Sequence, residues 1–265
     1  MPLVSVIMGV YYHRDSVEPL RSAVCSVLAQ SEADFEFLIC DDCSNEIALQ
    51  FLSETAENDS RIKLVRPGGK RSLPEKLNAC LELAQGSFIA RMDDDDISRP
   101  ERFAKQISYL QNHPDIAFVG CNVNLCRDGQ SVGVRELPEY PEVKDFYMTQ
   151  PYIHPALMFR REPLLAVGGY CEEKHCLLCE DYDLLLRLYT AAYRGSNMQE
   201  ILFDYTIPTT AKGKRRMSHR WNESVTRWLR FRDLKCLPSA LPYVIKPLAV
   251  GLLPEGLLRR LKKGL

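Results

Sequence analysis

Gly86-Ser87-Phe88-Ile89-Ala90-Arg91-Met92-Asp93-Asp94-Asp95-Asp96 sets a short apolar run against four consecutive carboxylates. The run has the length and composition of a buried strand, and the acidic turn marks where it leaves the sheet. Upstream, Leu73, Leu77, Cys80, Leu81 and Ala84 recur at helical spacing and close at Gly86. Ile62 to Val65 reads as another strand, before Pro67-Gly68-Gly69. Further back, Phe35 to Cys40 is a strand followed by a helix bearing Ile47, Phe51, Leu52 and Thr55. Val4 to Val10 is a strand followed by Leu20, Ala23, Val24, Val27 and Leu28 on one helical face, with Asp15 or Ser16 as cap and Pro19 in the first turn. Downstream of Pro100 come a helix with Phe103, Ile107 and Leu110 and a strand from Ile116 to Val123. Strands alternating with helices predict an α/β fold, a mostly parallel sheet flanked by helices. Beyond that strand the rhythm gives way to loops rich in Pro, Tyr and Gly. A basic helix follows over 218–235, with Trp221, Val225, Trp228, Leu229 and Arg232. Pro238, Pro242, Pro247 and Pro254 are expected to break the next apolar stretch into short pieces, and Glu255 to Leu265 reads as a small amphipathic helix.

Ligands of such sheets bind at the carboxyl ends of the strands. The residues after three of the strands, His13 to Asp15, Asp41-Asp42 and Asp93 to Asp96, therefore gather along one edge as an acidic crevice. Four adjacent carboxylates repel one another unless compensated, and a divalent metal compensates them; hard oxygen donors suit Mg²⁺ or Mn²⁺ bound to a diphosphate. A solvated acidic loop is the plainer alternative. Glu180, Asp181 and Asp183 open a helix with Leu184, Leu185 and Leu188. They either cap that helix or place Asp181 as a general base that deprotonates a hydroxyl nucleophile. Asp41 and Asp42 stand where an acidic residue accepts hydrogen bonds from a nucleotide, although the same residues also make a turn and a cap. His219, among Lys214, Arg215, Arg216 and Arg220, can donate to a diphosphate or serve as an extra metal ligand. His154 reads as structural. No GxGxxG or GxxxxGK[ST] pattern is present, and no Cys or Ser nucleophile shows a local His partner.

The chain has 265 residues, 46% hydrophobic and 26% charged, with a formal net charge of -1. That composition describes a globular protein without a spanning segment or an export leader, and the reading is cytosolic. Its ten cysteines are expected to be thiols, with Cys25, Cys40, Cys80 and Cys121 buried as small hydrophobes. Cys40-x-x-Cys43 and Cys176-x-x-Cys179, the latter near Cys171 and His175, pose a zinc or redox question. Against it, the pairs are far apart in sequence, Cys40 ends a strand, and Cys43 adjoins the aspartate expected to bind the base. From Lys212 onward fourteen Lys and Arg stand against three Asp and Glu. The acidic body argues against nucleic acid, and the basic, leucine-rich tail suits an anionic membrane face or a phosphate-bearing ligand.

Five stretches, in order, resemble the family 2 glycosyltransferases of GT-A fold, especially bacterial enzymes of surface polysaccharide synthesis. They are Val4-Ser5-Val6-Ile7-Met8-Gly9-Val10-Tyr11-Tyr12, Phe37-Leu38-Ile39-Cys40-Asp41-Asp42-Cys43-Ser44, the Gly86 to Asp96 run with Pro100-Glu101-Arg102, His154-Pro155-Ala156-Leu157-Met158-Phe159-Arg160, and Glu180-Asp181-Tyr182-Asp183-Leu184. The resemblance implies a GT-A, Rossmann-like catalytic domain over 1–211, with a nucleotide-sugar half over 1–120 and an acceptor half over 121–211, then a basic helical extension over 212–265. It implies a metal-dependent, inverting hexosyl- or N-acetylhexosaminyl-transferase using a nucleotide sugar, a UDP-sugar by expectation, and a saccharide or lipid-linked glycan acceptor. Asp41 would bind the nucleobase beside the Val10 and Tyr11 backbone. Asp93 and Asp94 would contact the nucleotide sugar, Asp95 with Asp93 would hold Mn²⁺ or Mg²⁺, Asp181 would be the base and Glu180 would place the acceptor. Where the family has proline, a turn glycine, a small residue and tryptophan, this chain has Gly9, Cys43, Asp94 and Leu184. A nucleotidyltransferase and a non-catalytic sugar-nucleotide-binding or glycan-binding subunit are the alternatives. The tail would make a peripheral contact with the inner face of the plasma membrane.

Overall fold

The computed structural model describes residues 2–66, 68, 71–207 and 216–253. Strand β1 (Val4–Val10) lies parallel between β2 (Phe35–Asp41) and β4 (Phe88–Arg91), with β3 (Ile62–Val65) parallel on the far side of β2. Helices α1 (Glu18–Leu28), α2 (Glu46–Asn58) and α3 (Leu73–Leu83) are the crossovers. Both faces of β1 and β2 are covered, so every residue in them is buried and successive side chains enter two cores. Val6, Met8, Phe37 and Ile39 join Leu20, Val24, Phe51 and Leu52 of α1 and α2. Ile7, Leu38 and Cys40 join Leu77, Cys80 and Leu81 of α3 on the other side.

After β5 (Ile97–Ser98) and α4 (Arg102–Asn112) come β6 (Ile116–Arg127), β7 (Gln130–Arg135), β8 (Met158–Arg160), α5 (Arg161–Ala166), α6 (Glu180–Thr190) and β9 (Arg194–Thr206). The sheet order is β3-β2-β1-β4-β8-β6-β9-β5, with β7 hairpinned on β6. The parallel run ends at β4, where β8 enters antiparallel and joins it to β6; β9 then runs parallel to β6. Arg102 secures this join. Its buried guanidinium donates to the Arg91 and Leu157 carbonyls and to Gln106 Oε1, and Gln106 donates to the Val119 and Ala156 carbonyls. The Pro100-Glu101-Arg102 motif is therefore a brace beneath the acidic turn.

Several local expectations differ from the structure. The α1 N-cap is Val17 rather than Asp15 or Ser16, while Asn45 caps α2 by accepting from the Ala48 amide. Cys25 is exposed, because the buried stripe of α1 passes through Leu20, Ala23, Val24 and Val27 and leaves it on the outer side; Cys40, Cys80 and Cys121 are buried. All ten cysteines are free thiols. Helix α7 (Met217–Asp233) faces inward with Ser224, Thr226, Arg227 and Phe231 and outward with Trp221 and Trp228. The prolines do not fragment the next stretch: α8 (Leu237–Leu252) runs through Pro242 and Pro247. Its buried residues Ala240, Val244, Pro247 and Gly251 form one stripe, and packing of that stripe offsets the lost hydrogen bonds. The amphipathic helix expected over Glu255 to Leu265, with Lys214 and Arg215, lies outside the described residues.

Candidate active site

Val10 is paired with Asp41 in the β1–β2 register, and Ile7 with Arg91 in the β1–β4 register, so the loops after all three strands leave from one edge of the sheet. Besides Arg14, this edge holds a second cation that the sequence did not point to. Lys76, buried on α3, donates from Nζ to the Val10 carbonyl at 2.9 Å and lies 5.5 Å from the Tyr11 ring centroid. Burial holds its ammonium below the ordinary lysine value, against the pull of Asp42, Cys40, Asp94 and Asp41. Gly9 makes room for it, since a Cβ there would stand 2.9 Å from Leu73 Cδ1 and 3.2 Å from Lys76 Cβ. Asp41 and Asp42 are both buried, each with an Oδ1 that has no hydrogen-bond partner among the described residues. Asp42 Oδ2 accepts from the Arg71 amide. Cys43 keeps the left-handed turn that a glycine would favour, at φ 57°.

The acidic turn is tied down at both ends. Arg91 is fully buried and forms an ion pair with Asp93. Arg14 reaches across from the loop after β1 to Asp95, at 2.6 Å. Asp96 is buried and accepts from the Thr206 amide at 2.7 Å, while Thr206 Oγ1 donates to the Asp95 carbonyl at 2.5 Å. Burial, then the charges of Asp93 and Asp95, raise Asp94 to about 7. Asp96 is pushed well above the usual carboxylate range by burial and by Asp93. The partly exposed carboxylates of Asp93 and Asp95, each held by one arginine, are oxygen donors of the kind Mg²⁺ and Mn²⁺ take.

A cleft of about 670 Å³ opens beside this turn. Arg91, Asp93, Glu180, Asp181, Arg216 and His219 line it, so His219 reaches the same cleft as Asp93. The first turn of α6 brings Glu180 and Asp181 there. Asp181 Oδ1 accepts from the Tyr182 amide at 2.7 Å. Glu180 is buried with Oε2 lacking a hydrogen-bond partner among the described residues; burial, then Asp181, lift it to about 7. Asp183 turns away, fully buried between Arg187 at 2.7 Å and Arg230 at 2.9 Å, and binds α6 to α7. His154 hydrogen-bonds Tyr170 Oη at 2.9 Å and is held neutral by burial and by Arg91. Asp181 also lines a smaller opening of about 230 Å³, with Met148, Tyr182, Glu223 and Arg227. One carboxylate thus borders two adjoining spaces.

Carboxylates after β2 and β4 on a parallel half-sheet, with a further pair at the start of α6, gather at the edge where ligands of such sheets bind. The chain belongs to glycosyl transferase family 2, whose model matches residues 5–166, and it is a glycosyltransferase. It is 32% identical over 263 residues to the putative glycosyltransferase EpsE of Bacillus subtilis, covering 99% of this chain and 94% of that one. It is 33% identical over 228 residues to the O-antigen biosynthesis glycosyltransferase WbnJ of Escherichia coli, covering 83% and 85%. The fold is similar to that of S. aureus TarS 1–349 in complex with UDP-GlcNAc (TM-score 0.70, 18% identity, 92% of this chain and 72% of that one). It is also similar to the mannosyltransferase PcManGT of Pyrobaculum calidifontis in complex with GDP-Man and Mn²⁺ (TM-score 0.64, 17% identity, 99% and 80%).

Proposed function

We propose that the protein is a metal-dependent, inverting glycosyltransferase that moves a sugar from a UDP-sugar to a saccharide or lipid-linked glycan acceptor in surface polysaccharide synthesis. The observation that carries this reading is the position of Asp181, which borders both the cleft containing Asp93 and the adjoining smaller opening. A donor in the first space and an acceptor hydroxyl in the second would meet at this carboxylate. Asp181 takes the hydroxyl proton as the oxygen attacks the donor sugar from the face opposite the leaving diphosphate, and one displacement inverts the anomeric centre. Glu180, raised to about 7 and so partly protonated at neutral pH, can in its protonated form donate a hydrogen bond to the acceptor.

Asp41 and the backbone at Val10 and Tyr11 receive the nucleobase, and Lys76 neutralises charge at that edge. Asp93 and Asp95 would hold Mn²⁺ or Mg²⁺, with Asp94 beside them; when bound, the ion stabilises the negative charge of the departing nucleoside diphosphate. The oxygen donor set supports this reading, as do the structural relatives named with UDP-GlcNAc and with GDP-Man and Mn²⁺. Arg216 and His219 line the same cleft as Asp93 and would take up leaving-group charge. The test is release of nucleoside diphosphate from a panel of UDP-, GDP- and dTDP-sugars with acceptor saccharides. A metal-requiring release restricted to UDP-sugars and lost in Asp181→Asn supports the assignment; turnover of GDP- or dTDP-sugars alone overturns the donor class.

Peripheral membrane contact belongs to the same reading. Among the described residues no helix is long and apolar enough to cross a bilayer. Helices α7 and α8 pack together and leave Trp221, Trp228, Leu241, Ile245, Arg232 and Lys235 exposed. Aromatic and basic side chains on an outward surface favour an anionic interface. Cosedimentation with phosphatidylglycerol vesicles should fall in Trp221→Ser/Ile245→Ser and at high salt, and binding unchanged by either removes the membrane role.

A further inference from the structure

The loop entering α6 reads Cys171-Glu172-Glu173-Lys174-His175-Cys176-Leu177-Leu178-Cys179. Its first cysteine, its histidine and its second cysteine fold together: Cys171 Sγ, a ring nitrogen of His175 and Cys176 Sγ all lie within 4.8 Å of one another. Ligands at about 2.3 Å (sulfur) and 2.0–2.1 Å (nitrogen) from a tetrahedral zinc stand roughly 3.5–4 Å apart, so a small contraction of this cluster suffices. His175 Nε2 is buried and has no hydrogen-bond partner among the described residues. The turn Lys174–Cys176 is already fixed from outside. Asn222 Nδ2 donates to the Lys174 carbonyl at 2.8 Å, and Thr226 Oγ1 to the His175 carbonyl at 2.9 Å, both from α7.

We propose that Cys171, His175 and Cys176 form a Zn²⁺ site, separate from the carboxylates of the cleft. Two sulfur donors and an imidazole select zinc over Mg²⁺ and Mn²⁺, whereas the Asp93 and Asp95 oxygens favour the hard ions, so the two sites sort metals by donor type. Water completes the fourth position. Cys179 is not part of the set: its Sγ engages the His175 carbonyl and Thr226 Oγ1. Nor do Cys40 and Cys43 contribute, so the site is local to this loop and does not bridge the two CxxC pairs. Its consequence is positional. Cys179 is the N-cap of α6, and Glu180 and Asp181 follow it directly. A zinc clamp three residues before the cap fixes the path of the chain into the first turn of α6, and Cys171, His175 and Cys176 act as positioning residues.

The full chain, produced without a histidine tag and purified under reducing conditions, is to be assayed for zinc by elemental mass spectrometry. Its zinc-stripped form is then titrated with Co²⁺ as a spectroscopic probe. The proposal expects about one zinc per chain and, with Co²⁺, a thiolate-to-metal charge-transfer band with visible bands of tetrahedral intensity. Cys171→Ser and His175→Gln, both at partly exposed positions, should keep the far-ultraviolet dichroism of the wild type and lose at least about tenfold in zinc occupancy against a chelator. Asp95→Asn should keep its zinc. Hydrogen exchange at residues 171–181 should rise when zinc is stripped. A wild-type chain without zinc and without the thiolate–cobalt band overturns the proposal. So does zinc retained equally in both ligand variants, or a Cys171–Cys176 disulfide in place of the metal.

Discussion

Asp181 and Glu180 are adjacent in the chain but differ in surroundings, and the roles proposed for them differ accordingly. Glu180 is buried and raised to about 7 from an ordinary 4.5. Between those values the native chain holds a proton that the unfolded chain has released, so this group's contribution makes stability fall as pH rises through that window. At about 1.4 kcal/mol per pH unit the loss is at most about 3 kcal/mol. Glu180→Gln should therefore flatten the decline of Tm between pH 5 and pH 8, and an unchanged slope would show that Glu180 is not the titrating group. Asp181→Asn should leave Tm within a few degrees and lower turnover by about 10²- to 10⁴-fold, the usual worth of a positioned base. The positions of Asp41, Asp42 and Asp93 to Asp96 were legible in the sequence because they end or directly follow strands, and those of Glu180 and Asp181 because they open an amphipathic helix. Lys76 was not, and neither were the ion pairs of Arg14 and Arg91, because a long cationic side chain finds a partner that its own position does not announce: Arg14, placed at the edge by its strand, meets Asp95 across 81 residues of sequence.

Elements were legible where burial pattern and periodicity agree. Strands β1 and β3 have the bounds that their apolar runs predict. The mixed half was less legible, because β8 is only three residues long and its antiparallel place between β4 and β6 depends on Arg102 and Gln106. Helix α8 was misread because proline propensity was weighed without the packing that overrides it. Close packing also governs β9. A Cβ on Gly195 would collide with the Phe118 ring, which is enclosed by Tyr152, Phe159 and Tyr189. Gly195→Ala should cost about 1–3 kcal/mol in chemical denaturation, through overpacking. At the α2 N-terminus, Asn45→Ala should cost about 1 kcal/mol by removing the bond to the Ala48 amide. A loss well below these values at either position would mean that the site relaxes around the change.

The whole molecule places charge unevenly, with fourteen basic residues against three acidic after position 211 and the carboxylates concentrated at the sheet edge. Apo protein should consequently gain thermal stability from millimolar Mn²⁺ or Mg²⁺, as any ligand of the native state confers, and the gain should be largely lost in Asp95→Asn. An equal gain in the variant would place the ion elsewhere. The central claim is that metal at the acidic turn and the base at the start of α6 act on one nucleotide sugar. The most direct measurement is nucleoside diphosphate release by wild type, Asp95→Asn and Asp181→Asn across the sugar-nucleotide panel, with and without Mn²⁺. The account predicts release from a UDP-sugar that requires metal and is lost in both variants. Release that persists in Asp181→Asn, or that ignores metal, would contradict it.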